Sequence, residues 1–346
     1  MSTTNLRKIP MNRVSPTPQG QSAGWLWDGY LKPGSITLLT SQWKTGKTTL
    51  LTGLLRCLEH GEAFLGRAMA GGKGLVVSEE SNDHWAERLS RMPVGGHVEL
   101  MSRPFLRRPN FDQWNSLIDE ARDMRLTGQL DLFVIDPMAK FLPGAWESNA
   151  GLLFDALEPL HRLTSEGVSV LLLHHPRKQR SEPGHAARGT GALLGFVDIA
   201  VELNRYGRLR SDSRRRLLLG LARSARTPER LVYEWDPATG RFTELGDPLA
   251  IQFEQNWSQV LEILRKRKQA ATHKELLMDW PSDQEKPSAS VLYEWLNRAF
   301  AEKRVRRHGS GTTTNPYRYR LENEDDKYLD QGKLPPLGDL TSLRGW

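Results

Sequence analysis

The octapeptide Ser41-Gln-Trp-Lys-Thr-Gly-Lys-Thr48 decides the predicted fold. It follows an apolar, β-branched run at 36–40 and precedes a Leu-rich helical stretch that begins near Leu50. A strand, a Gly-containing loop and a helix in this order form the phosphate-binding pattern G-x-x-x-x-G-K-[ST], from which the sequence departs only at Ser41. A serine is small enough to preserve the turn, so the sequence predicts a phosphate-binding loop at 41–48.

The residues that this loop retains each have a chemical role. Gly46 lets backbone N–H groups approach phosphate oxygens, and Lys47 supplies a cation for the β- and γ-phosphates. The Thr48 hydroxyl can ligate Mg²⁺, and the N-terminus of the following helix attracts anions. We therefore predict ATP and Mg²⁺ as the bound groups and Lys47 as a catalytic residue. The predicted nucleotide contacts are Ser41, Gln42, Trp43, Lys44, Thr45, Gly46, Lys47, Thr48 and Thr49.

Two carboxylates follow apolar strands and are candidates for hydrolytic chemistry. Asp136 ends the run at 132–136, and a carboxylate at the carboxyl end of a parallel strand suits Mg²⁺ beside a phosphate loop. We predict that Asp136 and Thr48 form the metal site. Glu79 follows the strand at 75–78 and can polarise the water that attacks the γ-phosphate. The alternative for Glu79, and more so for Glu80, is a solvated strand end or a helix N-cap region.

His174 and His175 end the apolar run at 168–174 and are also candidate site residues. Adjacent residues of an extended strand point to opposite faces, which disfavours joint metal binding. The chain has a single Cys, so a zinc site is not expected. The favoured interpretation is a polar group that senses the γ-phosphate, and the alternative is a buried, hydrogen-bonded histidine.

Several arginines are candidate partners of phosphate. Arg188, Arg223 and Arg226 are predicted to contact the γ-phosphate bound by a neighbouring protomer, since such arginines are often supplied in trans. Solvated surface charge is the alternative for each of them. The dense arginine run at 205–216 predicts a flexible hairpin or loop. It either tracks a nucleic-acid backbone inside an oligomeric ring or remains a solvated loop.

The pattern around these motifs indicates an α/β fold. Short apolar strands alternate with helical stretches, which is typical of a mostly parallel sheet covered by helices on both faces. The last strands follow one another without helices and predict an antiparallel extension of that sheet. The predicted strands are 36–40, 75–78, 132–136, 168–174, 199–203, 217–222 and 231–235.

The 346-residue chain is predicted to contain two domains. The predicted divisions are a flexible leader at 1–22, an α/β ATPase domain at 23–245, a linker at 246–256, a small basic domain at 257–321 and a disordered acidic tail at 322–346. The small domain has predicted helices at 257–268, 273–280 and 287–302, followed by a two-stranded ribbon. This order is typical of a winged helix-turn-helix.

Charge is concentrated in the small domain. Residues 257–321 contain 13 Lys and Arg against 7 Asp and Glu, so most of the net charge of +7 lies there. Such an excess points to a polyanion, and we predict that this domain binds duplex DNA. No apolar run reaches the ~20 residues of a membrane span, and no apolar secretion signal is visible, so the expected location is the cytoplasm.

The motifs together resemble those of RecA-like ATPases, specifically the plasmid RepA-type replicative helicases and related AAA-family proteins. The resemblance covers roughly 24–235 and depends on motif order. It includes Gly24-Trp-Leu-Trp, the loop at 41–48, Phe64-Leu-Gly-Arg67, Glu79, Arg88, Asp136, His174-His175 and Arg188-Gly189. The resemblance implies a RecA-like fold, Glu79 as the catalytic base, His174 and His175 as the γ-phosphate sensor region, and a trans arginine within 223–226. It also implies a hexameric ring on single-stranded DNA.

The favoured interpretation is Mg²⁺-ATP hydrolysis coupled to DNA handling. The predicted protein is an oligomeric, RepA-like DNA helicase, a hexamer, of a plasmid, phage or mobile element. The alternative is a DNA-binding regulator or defence component in which ATP switches assembly without unwinding. A small-molecule kinase is disfavoured, because it explains neither the basic domain nor the motif order.

Overall fold

The computed structural model describes residues 24–144, 149–176, 191–206, 214–267 and 269–321. The predicted leader, the predicted tail, Arg188, Arg208 and Arg210 lie outside these residues. The chain divides into two compact units, Met1–Pro248 and Leu249–Trp346. No helix within the described ranges is long and apolar enough to cross a membrane.

The first unit is a mixed α/β structure. Its strands are β1 (Ile36–Thr40), β2 (Gly74–Ser78), β3 (Val98–Ser102), β4 (Leu132–Asp136), β5 (Ser169–His174), β6 (Ile199–Arg205), β7 (Arg215–Ala222), β8 (Arg230–Asp236) and β9 (Arg241–Gly246). Its α-helices are α1 (Lys47–Leu58), α2 (Asn82–Arg91), α3 (Phe111–Leu126), α4 (Met138–Phe141), α5 (Ala150–Leu157), α6 (His161–Ser165) and α7 (Gly191–Phe196), with a 3-10 helix at Glu158–Leu160.

The nine strands form one sheet in the order β3-β2-β4-β5-β1-β6-β7-β8-β9. Pairing is parallel from β3 to β6 and antiparallel from β6 to β9. The predicted mostly parallel sheet with an antiparallel extension is therefore confirmed. Since β1, β2, β4 and β5 are parallel neighbours, the residues that follow them meet at one edge of the sheet.

Helices cover both faces of this sheet, as predicted. Leu38 and Leu39 are consecutive in β1 yet belong to different buried clusters, because successive side chains of a strand point to opposite faces. One cluster joins α1 to β6, β7 and β8. The other contains Trp114 and Ile118 of α3 and the buried leucines around α5 and α6. The sheet is thus a central layer, and it fixes the positions of the residues at the carboxyl ends of its parallel strands.

Two strands were not predicted, and both lie at the borders of the sheet. β3 exposes Glu99 and Leu100, and β9 is largely exposed, so neither has the buried apolar run by which the other strands were recognised. β9 forms a hairpin with β8. An edge strand with one partner carries a weaker hydrophobic signal than a central strand.

The second unit contains α8 (Pro248–Arg267), β10 (Ala271–Thr272), α9 (His273–Met278), α10 (Ala289–Ala301), β11 (Val305–His308) and β12 (Arg318–Leu321). The three predicted helices are present. The predicted linker at 246–256 is wrong for most of its length, because α8 begins at Pro248 and buries Phe253. Phe253 stacks on Trp257, so the apolar face of α8 extends one turn further back than its sequence period indicated.

The small sheet of the second unit has three strands rather than the predicted two. Its order is β10-β12-β11, and both pairings are antiparallel. The added strand is only two residues long, too short to show a sequence period. Thr272 ends it and caps α9 in a capping box with Glu275. That this unit belongs to the winged helix-turn-helix class remains a prediction.

Candidate nucleotide-binding site

The loop at 41–48 leaves the carboxyl end of β1 and enters α1 directly. Gly46 occupies the N-cap position with a φ of 109°, in the left-handed region that favours glycine, and no side chain caps the helix. Thr45 Oγ1 donates to the carbonyl oxygen of Gln42 at 2.8 Å, which closes the loop on itself. The first N–H groups of α1 are thus left to bind an anion, as a phosphate site requires.

Lys47 is buried at the start of α1, and its ammonium contacts three polar atoms of Ser41 and His175. Its Nζ donates to Ser41 Oγ at 2.9 Å and approaches the Ser41 carbonyl oxygen at 3.3 Å and His175 Nδ1 at 2.8 Å. Burial lowers the pKa of Lys47 to about 8, while the charge of Asp136 acts in the opposite direction. Burial and the charge of Lys47 lower the pKa of His175 to about 4, so the imidazole is neutral and Nδ1 accepts the hydrogen bond from Lys47.

Thr48 and Asp136 lie in contact, as expected for a shared metal site. Thr48 Oγ1 donates to Asp136 Oδ2 at 3.0 Å. Burial raises the pKa of Asp136 to about 6, whereas the hydrogen bond from Thr48 and the charge of Lys47 lower it. The carboxylate therefore remains largely ionised at neutral pH. A hydroxyl and a carboxylate oxygen are hard ligands of the type that Mg²⁺ takes while keeping several waters, so the residues fit this ion.

Glu79 and Glu80 follow β2 and have different surroundings. The backbone N–H of Glu79 donates to the Asp136 carbonyl oxygen at 3.0 Å, which ties this turn to the metal-site strand. The Glu79 side chain is 39% exposed, and one oxygen lies 3.5 Å from Lys140 Nζ. Both carboxylate oxygens of Glu80 instead accept hydrogen bonds from Arg88, at 2.5 and 3.1 Å. Glu79 is therefore the carboxylate better able to accept a proton from water.

These residues line a cleft of about 340 Å³. Its walls are the loop residues Trp43, Lys44, Thr45, Gly46, Lys47, Thr48 and Thr49, together with Glu79, Glu80, Arg88, Asp136 and His175. The structure thus brings together most of the predicted nucleotide, metal and catalytic residues. Ser41 and Gln42 are not among the lining residues: Ser41 is buried and contacts Lys47, whereas Gln42 is exposed.

A second cavity, which no sequence motif indicated, lies beside this cleft. It has a volume of about 350 Å³ and shares Thr49, Glu80 and Arg88 with the cleft. Trp235 and Pro237, from the end of β8 and the turn after it, form another part of its wall. Those residues belong to no recognised motif, and only the β8–β9 hairpin brings them close to α1 and α2.

His174 does not share the position of His175. It is the last residue of β5, it is 6% exposed, and it is not among the residues that line the cleft. Burial lowers the pKa of His174 to about 4, so it is neutral at physiological pH. The structure places only His175 in contact with the loop lysine.

Arg223 and Arg226 lie at the opposite edge of the sheet from the loop of their own chain. β7 runs antiparallel to β6 and ends with Ala222 paired to Ile199, the first residue of β6. Arg226 Nε lies 3.1 Å from Asp28 Oδ1. The Arg223 side chain is exposed. Neither arginine reaches its own cleft, and action on a neighbouring protomer remains a prediction.

The family comparison agrees with this geometry. The family model for the AAA domain matches residues 3–181, which is more than half of the chain. The chain belongs to the AAA domain family. This domain is an AAA-type P-loop ATPase found in RecA-like helicases, and it supports nucleotide binding and ATP hydrolysis. No curated protein matches the sequence significantly.

Proposed function

We propose that this AAA domain protein is a Mg²⁺-dependent ATPase that couples hydrolysis to DNA handling, as a hexameric RepA-like helicase of a plasmid, phage or mobile element. The observation that carries the proposal is one cleft that holds Lys47, the Thr48–Asp136 pair and Glu79. A fork-unwinding assay tests it, as described at the end of the Discussion.

The loop binds and orients the phosphates. Backbone N–H groups at the start of α1 and the Lys47 ammonium attract the β- and γ-phosphates, which displace the ammonium from its contacts with Ser41 and His175. Thr48 and Asp136 would hold Mg²⁺, and the ion supplies charge neutralisation at the phosphate oxygens. Because His175 contacts Lys47 directly, its imidazole is placed to respond when the γ-phosphate arrives or leaves.

Glu79 accepts the proton of the attacking water. Glu79 follows β2, beside β4 and Asp136, and its carboxylate has a long contact of 3.5 Å to Lys140. A general base must reach the water while keeping an unoccupied lone pair. Arg88 donates to both oxygens of Glu80, which leaves that carboxylate fewer acceptor sites for a water than Glu79 has.

The nucleoside occupies the cavity beyond Thr49. A nucleotide whose phosphates lie along 46–48 must extend its sugar and base past the next residue of α1. The second cavity opens there, and Trp235 offers an aromatic surface on which a base can stack. This arrangement supports ATP as the substrate of the cleft.

Arg223 is a better candidate than Arg226 for the arginine that contacts the γ-phosphate of a neighbouring protomer. Arg226 is paired with Asp28, and its carbonyl oxygen accepts a hydrogen bond from Arg67 at 2.8 Å, so it stabilises the fold locally. Arg223 is exposed, so its guanidinium can contact a phosphate outside its own chain. A ring in which each protomer supplies Arg223 to the next would complete the site.

Mixing two inactive variants tests this assignment. Rings assembled from Arg223→Ala and Lys47→Ala protomers are expected to recover part of the wild-type ATPase activity. The reason is that some interfaces then pair an intact loop with an intact arginine. The measurement is steady-state ATP hydrolysis across mixing ratios, with Arg226→Ala as the matched variant. If neither arginine variant recovers ATPase activity when it is mixed with Lys47→Ala, in rings shown to exchange protomers, the trans role is contradicted.

Duplex DNA is the proposed partner of the second unit. α10 packs on β11, and its Leu292 and Leu296 are buried while Tyr293 and Arg298 are exposed. Val291 is 36% exposed and adds to the outer face of α10. An exposed helix face beside basic strands is suited to the major groove and its flanking phosphates.

Several polar and basic residues of this unit already have protein partners. Arg318 lies 3.4 Å from Glu275, and Arg307 stacks between Phe300 and Tyr317. Ser288 caps α10 by accepting from the Val291 N–H. We therefore assign the phosphate contacts to exposed residues such as Lys286, which precedes α10.

Replacement of Lys286 by alanine is therefore expected to weaken duplex binding by the full-length protein. The loss should be similar for unrelated DNA sequences, because phosphate contacts carry no base information. The slope of log K against log salt should become shallower by about 0.9 for each phosphate contact removed. Fluorescence anisotropy at several salt concentrations measures this slope.

Lys266→Ala is the matched control for that experiment. Lys266 is an exposed lysine of α8 that pairs with Glu262 at 2.7 Å, so its removal should leave the salt slope unchanged. An unchanged slope in the Lys286→Ala variant would show that this surface does not bind DNA phosphates. The second unit would then serve as a protein adaptor.

A further inference from the structure

The β6–β7 hairpin ends beside the phosphate-binding loop. β6 lies next to β1 and parallel to it, so both strands point toward the same edge of the sheet. Arg205, the last residue of β6, is paired in register with Arg216 near the start of β7. The register therefore brings two guanidinium groups to the edge from which the loop leaves β1.

Both guanidinium groups donate to carbonyl oxygens of the loop. Arg216 Nε donates to the Thr45 carbonyl oxygen at 2.8 Å. Arg205 Nη2 donates to the Lys44 carbonyl oxygen at 3.0 Å. Arg216 is partly buried, and this burial lowers the pKa of its guanidinium, which nevertheless stays charged at physiological pH.

Because a peptide is planar, a contact that fixes its carbonyl oxygen also fixes the direction of its N–H group. In a trans peptide the C=O and the following N–H point in opposite directions within one plane. The Lys44 carbonyl shares its peptide with the Thr45 N–H, and the Thr45 carbonyl shares its peptide with the Gly46 N–H. A guanidinium that holds the carbonyl on one side of the loop therefore holds the N–H donor on the other.

The loop needs such restraint at this point. Lys44 has a φ of 59°, a left-handed conformation that is strained for a residue with a side chain, and Gly46 follows with a φ of 109°. Strained backbone persists only where surrounding contacts over-determine it. The two arginines supply those contacts at the strained peptides.

We propose that Arg205 and Arg216 are positioning residues of the ATP site, which hold the peptides at 44–46 in the orientation that presents their N–H groups to phosphate. The inference rests on the proposed ATPase function. It gives these two members of the arginine-rich run a role in ATP binding that is separate from any contact with nucleic acid.

The test compares Arg216→Ala with Arg215→Ala in the full-length protein. Arg215 is the adjacent residue of β7, and its Nε donates to Glu234 Oε2 at 3.0 Å, away from the loop. Loss of the contact to Thr45 should raise the Kd and KM for ATP about 10-fold or more, since hydrogen bonds of charged groups are among the stronger ones. The kcat at saturating ATP should fall much less. Arg215→Ala should keep the wild-type values.

Rescue and folding controls complete the design. Arg216→Lys retains a cationic donor without the planar fork, so it should recover part of the affinity that Arg216→Ala loses. Arg205→Ala should weaken ATP binding in the same direction and provides a second variant if Arg216→Ala does not fold. Thermal melting in the absence of nucleotide separates loss of affinity from loss of fold.

The outcomes distinguish this inference from the proposed function. If wild-type protein binds ATP, and folded Arg216→Ala and Arg205→Ala bind it as tightly as Arg215→Ala does, the positioning role is wrong while the ATPase assignment stands. Failure of the wild-type protein to bind ATP would overturn both. Weaker ATP binding in the two loop-contact variants alone supports the inference.

Discussion

Replacement of Lys47 by alanine is expected to abolish ATP hydrolysis. The ammonium is the buried cation of the loop, and it lies within the cleft that also holds Asp136 and Glu79. Charge-assisted contacts to phosphate contribute about 1.5–3 kcal/mol each, so ATP binding should weaken together with turnover. The measurement is steady-state phosphate release, with ATP affinity determined separately.

Lys73→Ala is the matched control for this variant. Lys73 precedes β2 at the other edge of the sheet, and its Nζ donates to Gln129 Oε1 at 2.5 Å, so its loss should not affect turnover. Wild-type turnover by Lys47→Ala would show that the loop at 41–48 is not the hydrolytic site.

The Glu79→Gln variant is expected to bind ATP and assemble normally but to hydrolyse ATP at least ~100-fold more slowly. Glutamine keeps the size of the side chain but cannot accept the proton of the attacking water. Loss of a general base typically costs 10²–10⁴-fold in rate, that is, roughly two to four orders of magnitude. Single-turnover hydrolysis with saturating ATP isolates this step from binding.

Glu80→Gln is the informative comparison. Both Glu80 oxygens accept hydrogen bonds from Arg88, so this change should disturb the turn after β2 and have a smaller effect on the chemical step. A larger hydrolytic defect in Glu80→Gln than in Glu79→Gln would mean that the two carboxylates have exchanged roles.

The central part of the site could be predicted because chain order and topology determine it together. Each of the central residues stands where a strand ends or a helix begins. Glu79 and His175 follow β2 and β5, Asp136 ends β4, and Lys47 begins α1. Parallel neighbours bring such strand ends to one edge. The loop motif then identifies that edge as a phosphate site. The sequence pattern alone therefore predicts that these residues lie near one another.

The parts that could not be predicted depend on side-chain contacts between distant segments. Whether Glu79 or Glu80 is available depends on the reach of Arg88 from α2. The contact of Arg216 with Thr45 depends on the register of β6 with β7, which periodicity does not determine. Trp235 was predicted only as a strand residue, and its place in the second cavity follows from the β8–β9 hairpin.

The same distinction applies to the domain boundary. The turn-forming residues Gly246 and Pro248 indicated a break in the chain, and the division into two units falls there. They gave no sign that α8 starts at once, since proline is also a favoured first residue of a helix. A linker and a helix start therefore look alike at this position in sequence.

Strand separation on a forked DNA duplex tests the central claim most directly. The full-length protein, with Mg²⁺ and ATP, is predicted to displace the labelled strand. The same protein with a non-hydrolysable ATP analogue, or the Lys47→Ala variant with ATP, should displace none. ATP hydrolysis by the wild-type protein without any strand displacement would contradict the helicase account and favour an ATP-switched DNA-binding regulator.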